Sequence, residues 1–246
     1  MKTLLWAERL KLKRSKILWI AVFSVIMVSF IVFMQGQFTY NGKRYVDGVG
    51  WFMTATQSLG SLYVFPAIIA LMGSYMICRE DQDDTMKSLT LIPVSVSQLV
   101  GAKLIVTATF SIVLYAFLFV VTLTVEAALH IFLLDLGTVL GFAKIYLLEG
   151  IGLFLAVSPI IAIVYRLKKG YWLALIFAEI YSFLGLFIGI QGTMRSIYPI
   201  TAAFGVAGYY ETTPLQLAIS VFSLLICGVV SLLILRGLKR FKQKVY

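Results

Sequence analysis

Six stretches of this chain are each long and apolar enough to cross a lipid bilayer: residues 17–34, 59–77, 104–125, 139–165, 171–190 and 215–235. A helix that crosses the hydrocarbon core needs about 20 such residues. Lipid offers no water to backbone N–H and C=O groups, so a spanning segment has to satisfy them internally, as a helix. The expected fold is all-α and polytopic, with six transmembrane helices in one domain covering residues 1–246. Composition agrees. Of 246 residues, 61% are hydrophobic and 13% charged, against about 45–50% and about 25% in soluble domains. No internal repeat is evident, and no soluble appendage is expected. Residues 126–137 are apolar too, and either extend the third helix or lie in the interface.

The first apolar run follows a basic segment, as in a secretory signal. Its 18 residues exceed the about 7–15 of a signal's apolar region, and no Ala-x-Ala-like site follows. It is expected to be a retained span. The formal charge of +10 does not point to nucleic acid, because the basic residues flank apolar runs; the matching partner is an anionic membrane face. Residues 1–16, 79–103, 166–169 and the tail from Arg236 hold 17 of the 21 Lys and Arg, and the opposite loops hold three, Lys43, Arg44 and Arg195. That bias places both termini and the 79–103 loop in the cytoplasm. Trp6, with Arg9, Lys11, Lys13, Arg14 and Lys16 around it, suits an interfacial helix before the first span.

No phosphate-binding loop, H-E-x-x-H, paired C-x-x-C or G-x-S-x-G occurs. No enzyme site, cofactor or metal of the chain's own is expected. Cys78 and Cys227 sit in or beside apolar runs and read as packing residues.

The longest polar interruption is residues 79–103, REDQDDTMKSLTLIPVSVSQLVGAK. Glu80, Asp81, Asp83 and Asp84 can cap a helix and meet the positive end of its dipole. Met86 and Leu89 then share a face. Pro93 ends the element near Ile92, and Ser95 or Ser97 can cap the next span. The alternative is a solvated connecting loop. A calcium loop does not fit, since the EF-hand needs Gly at its sixth position and Glu at its twelfth.

This segment resembles the conserved cytoplasmic loop of ABC transporter permeases of the type-2 exporter class. Glu80, Thr85, Lys87, Leu89, Pro93, Val94, Ser95 and Lys103 match that pattern. Asp84 stands where Gly commonly precedes the Thr, and Val96 where Arg commonly follows Pro-Val-Ser. The start, WAERLKLKRSKILWI, is similar to the charged connecting helix of these permeases. Chain length and the Asp84–Lys87 variant resemble lantibiotic-immunity and bacitracin-resistance permeases. The resemblance implies a coupling helix seated in a groove of a cytoplasmic ATPase. Met86, Leu89 and Leu91 would make apolar contacts there, with Glu80, Asp84, Thr85, Lys87 and Pro93 shaping and capping it. It also implies two copies of that ATPase, which bind the ATP and Mg, and a second permease, the same chain or a sister. The setting would be the bacterial cell membrane. Residues 191–217 would form short re-entrant helices before the last span, rather than an exposed loop.

Glu126, Lys144, Glu149 and Glu179 lie within or beside spans, where ionisable residues are costly and mark function by default. They serve either assembly, or a cationic substrate or gate. Glu126 and Lys144 approach one face on consecutive helices and can pair. The lone His130 reads as interfacial and idle. Gly150 with Gly152, and Gly185 with Gly189, can allow close helix packing. The expected function is the permease of an ATP-driven exporter, with a membrane-active peptide or peptide antibiotic as the cargo implied by the resemblance. Its alternatives are a type-2 exporter of another drug or ion, a proton-coupled carrier using Glu149 and Glu179, and a non-transporting scaffold.

Overall fold

A computed structural model describes residues 2–13, 15–82, 96–167, 170–190 and 192–242. The chain is almost wholly helical. Helix α1 (Lys2–Lys13) leads into α2 (Ile17–Gly36). A short hairpin of Thr39–Tyr40 and Lys43–Arg44 and a 3-10 turn at Tyr45–Asp47 precede α3 (Trp51–Tyr63). Then follow α4 (Phe65–Gln82), α5 (Val96–His130), α6 (Leu136–Leu167), α7 (Leu173–Ile188), α8 (Gly192–Ile197), α9 (Pro199–Ala207) and α10 (Pro214–Lys242). The hairpin turns on Asn41 and Gly42, both at positive φ, the conformation a tight two-residue turn requires. It is the one departure from an all-α architecture among the described residues.

Four described helices are long and apolar enough to span: α2, α5 from Gln98, α6, and α10 as far as Leu235. The second expected span is not one helix over 59–77. That stretch is shared between α3 and α4, an apolar pair bent by 47° with Val64 between them. Pro66 explains the break, because it has no N–H to donate to Leu62 and its ring crowds that turn. The fifth apolar stretch, 171–190, forms only the 16-residue α7. At 1.5 Å per residue that is about 24 Å, short of the about 30 Å hydrocarbon core. Its end is fixed by Gly189, whose N–H bonds Gly185 O at 2.8 Å and whose carbonyl accepts Arg195 Nε at 2.9 Å.

Helix α6 is central: α4, α5, α9 and α10 pack on it, and α7 packs mainly on α4. Leu153, Val157, Ile161, Ala162 and Val164 of α6 are fully buried. Both glycine pairs sit at close approaches. A Cβ on Gly150 would lie 3.1 Å from Tyr115 Cβ, and one on Gly152 2.9 Å from Ala203 Cβ. Gly185 meets the Tyr198 ring, and Gly189 meets Thr201.

Prolines inside a bundle orphan carbonyls, and three hydroxyls meet that need here. Ser182 Oγ donates to Leu62 O at 2.5 Å, four residues before Pro66. Ser158 Oγ donates to Leu155 O at 2.9 Å, four before Pro159 inside α6. Thr201 Oγ1 donates to Arg195 O at 2.7 Å, four before Pro199. Each covers an acceptor that proline cannot serve.

Helix starts follow capping chemistry. Thr213 and Gln216 form a reciprocal box around Pro214 at the first position of α10. The 126–137 linker divides: α5 continues to His130, and Asp135 starts α6 by accepting from the backbone N and hydroxyl of Thr138. Those bonds hold the Asp135 carboxyl below its ordinary range. The described part of segment 191–217, residues 192–217, holds two helices, α8 and α9, rather than one exposed loop. Helix α9 is buried over most of its length, with Ala202 and Ala203 fully so.

Candidate functional site

Polar side chains that hydropathy cannot place converge on α3. Its residues Met53, Gln57 and Ser61 recur every fourth position, so one stripe of the helix faces α5 and α6. The Gln57 amide donates to Glu149 Oε2. The Ser61 and Tyr115 hydroxyls are 2.5 Å apart, and Ser111 Oγ donates to Gly150 O at 2.7 Å. Tyr146 donates to Met53 O at 2.7 Å and takes a 3.3 Å bond from Thr122. Gln57, Ser61, Ser111, Tyr115, Tyr146 and Glu149 are all buried. Glu149 Oε1 has no hydrogen-bond partner among the described residues.

A second node lies at the start of α3. Gly50, at φ 78°, ends the approach to that helix in a conformation that favours glycine. Its N–H donates to Glu126 Oε1 at 2.7 Å. The carboxylate thereby caps α3 from the neighbouring helix α5, at the positive end of the α3 dipole. His130 Nδ1 meets the same oxygen at 2.9 Å. The Glu126 carboxylate is fully buried, and the His130 side chain is 9% exposed.

Two expectations are corrected here. Glu126 does not pair with Lys144, which is exposed on α6; the backbone donor at Gly50 and the imidazole one turn away claim the carboxylate first. His130 is not idle, because it sits four residues from Glu126 on one helix face.

Glu179 lies half-buried on α7 and has no hydrogen bond or ion pair among the described residues. Lys103 does not stop at the surface. It is 2% exposed, and its Nζ donates to Met76 O at 2.6 Å, tying α5 to α4.

Of the loop residues, Glu80 falls in the last turn of α4, which runs to Gln82. It does not open a separate helix, since Arg79–Gln82 holds no Gly or Pro to stop α4. Asp84, Thr85, Met86, Lys87, Leu89, Leu91 and Pro93 lie outside the described residues.

Gln57, Ser61, Tyr115 and His130 were not singled out as site residues from sequence. The available signal was spacing: Gln57 to Ser61, and Glu126 to His130, are i to i+4 pairs beside apolar runs. Chemically the set can exchange hydrogen bonds, hold a proton or meet a cation. No arranged nucleophile and base occurs among the described residues of these nodes.

The family described as ABC-2 family transporter protein matches residues 4–185, most of the chain. No curated protein matches it.

Proposed function

This chain belongs to the ABC-2 transporter family, and from that premise we propose that it forms the membrane path of an exporter for a membrane-active peptide or peptide antibiotic. Membership makes it a membrane component, a permease subunit of an ABC transporter that works with a partner ABC ATPase. Such permeases carry no ATPase site of their own. Our finer reading assigns ATP and Mg to two copies of the ATPase, and pairs the permease with a second one, the same chain or a sister. Both termini face the cytoplasm of a bacterial cell, as the 17-to-three basic bias supports. In this reading α3 and α4 together make the second span. Helix α7 with its flanking residues makes the fifth, and α8 and α9 re-enter before the last.

The family match across residues 4–185 carries the permease reading. The 79–103 sequence carries the coupling role, with Glu80, Asp84, Thr85, Met86, Lys87, Leu89, Leu91 and Pro93 as its residues. The cargo class rests on the likeness of Asp84–Lys87 to the immunity and resistance permeases.

Leu89→Asp tests the coupling role. An unpaired charge in a protein contact is costly to desolvate. The variant, at matched membrane expression, should lose capture of the ATPase and lose peptide resistance. Wild-type behaviour in both assays returns the segment to a connecting loop. Orientation is tested by thiol labelling on intact cells, in a background without Cys78 and Cys227. Lys43→Cys should react with an impermeant reagent and Ser88→Cys should not.

A further inference from the structure

Helix α7 carries one charge in sixteen residues, Glu179. Its buried face is a stripe of small residues, Ala174, Ala178, Ser182 and Gly185. The opposite face is bare: Ile176, Phe177, Ile180, Phe183, Leu184 and Phe187 are each 38–60% exposed. Glu179 stands on the border between the two. Ile176, three residues before it, and Phe183, four after it, flank it on the open side. Neither helix end is near. Leu173 is six residues away and Ile188 nine, about 9 Å and about 13 Å along the axis. No hydrogen bond or ion pair reaches Glu179 from any described residue. An ionisable group held in that position is a functional site by default.

The exposed basic side chain that α6 of a second copy could offer is Lys144. Depth argues against it. Ser182 bonds Leu62 O, and Gln57 bonds Glu149, which sets the relative heights of α3, α6 and α7. Lys144 then lies on the Gly50 side of Glu149, and Glu179 on the Arg79 side of Ser182. The two are separated by about 20 Å of helix rise. A two-fold axis along the membrane normal preserves depth, so it cannot bring them together.

We propose that Glu179 and the open Phe177–Phe183 border form a bilayer-facing site for the cationic group of an amphiphile. The carboxylate takes the positive charge, and Ile176, Phe177, Ile180 and Phe183 take the apolar body. Access is lateral, because that face of α7 is uncovered. The proposal rests on the exporter reading and gives its cargo a chemistry: a cation attached to an apolar body.

The test uses the permease with its partner ATPase in phosphatidylcholine nanodiscs, with radiolabelled tetraphenylphosphonium as probe and empty discs subtracted. Wild type should bind saturably. Glu179→Gln should weaken binding by about tenfold or more, the scale of one lost charge contact, and Glu179→Asp should largely restore it. Capture of the ATPase should stay unchanged in all three. Equal binding by wild type and Glu179→Gln overturns the proposal, as does an absence of saturable binding in wild type. A fall in native mass of the Glu179→Gln complex also overturns it, and makes Glu179 a contact between permeases. Failure of the exporter reading looks different: wild type then captures no ATPase, whatever the probe does.

Discussion

Replacing Ser182 with Ala should destabilise the bundle through a proline 116 positions earlier in the chain, at Pro66. Pro66 has no N–H, so the Leu62 carbonyl loses the donor that an unbroken helix would supply. Ser182 Oγ on α7 fills that role at 2.5 Å, and the bond is part-buried. Hydrogen bonds between membrane helices average about 0.6 kcal/mol and reach about 1.7 kcal/mol, because most groups find another partner once freed. Leu62 O has no such alternative while Pro66 stands. A buried acceptor left unmade costs about 1–3 kcal/mol. The part-buried position points to the lower half, so Ser182→Ala should cost about 1–2 kcal/mol.

The decisive measurement is a double-mutant cycle with Pro66→Ala, read by denaturant titration of the purified protein in bicelles. An alanine at position 66 offers its own N–H to Leu62 O. The hydroxyl then becomes redundant, and Ser182→Ala should be close to neutral in that background. The coupling energy should be about 1 kcal/mol, within the range seen for residues sharing one network. An equal cost for Ser182→Ala in both backgrounds refutes the reasoning. The bond would then be incidental to the break at Val64.

Glu126→Ala strands the Gly50 N–H and His130 together and should cost about 2–4 kcal/mol, while Glu126→Gln keeps one acceptor and should cost less than half of that; equal losses for the two contradict the capping role. Gly152→Val places new carbon against the Ala203 backbone, 3.2 Å from where its Cβ would stand. It should cost about 1–3 kcal/mol by overpacking and speed amide exchange across α9; unchanged exchange there counts against the close contact. Asp135 titrates below its usual value of 3.8 in the folded chain, so its cap contributes fully above that pH and is lost as pH falls through the lowered value. Exchange at Thr138 and Val139 should therefore accelerate, beyond its ordinary pH trend, only below about pH 4; acceleration near neutral pH would exclude this cap.

Hydropathy located α2, α5, α6 and α10 well, because each is a single apolar helix long enough to span, whether it is buried like α6 or open like α10. It failed at α3, and the reason is physical. Thr54, Thr56, Gln57 and Ser58 depress the apolar signal, yet Thr56 and Gln57 are buried. A hydropathy scale treats each polar group as unpaired. Here Gln57 bonds Glu149, and Thr56 bonds Phe52 O at 2.7 Å. The break at Val64 was legible in principle, since Pro66 sits inside the apolar run and its i−4 carbonyl needs a donor. Which donor answers was not legible, because Ser182 is 120 residues from Leu62. Asn41–Gly42 was a plain hairpin signal that an all-helical expectation passed over. Glu126, Glu149 and Glu179 could be named from sequence as costly residues. Only the fold separates the first two, each with donors, from the third, which has none among the described residues.

The placement of α3 also shows why these polar groups lie where they do. In lipid, apolar contact gives two helices little reason to prefer each other over the acyl chains. An element short of a full span therefore needs directional bonds to hold its height and rotation. Helix α3 has thirteen residues, and it and its cap Gly50 make five such bonds with three different helices. Glu126 of α5 takes Gly50 at its start and Tyr146 of α6 gives to Met53 O, Glu149 of α6 takes Gln57 at its middle, and near its end Tyr115 of α5 meets Ser61 and Ser182 of α7 gives to Leu62. Bonds spread along the axis fix a short rod against sliding and tilting, which no single contact does. Losing one should shift α3 about those that remain rather than release it. The effect of each single substitution then stays modest, while removal of any two should exceed the sum of their separate costs.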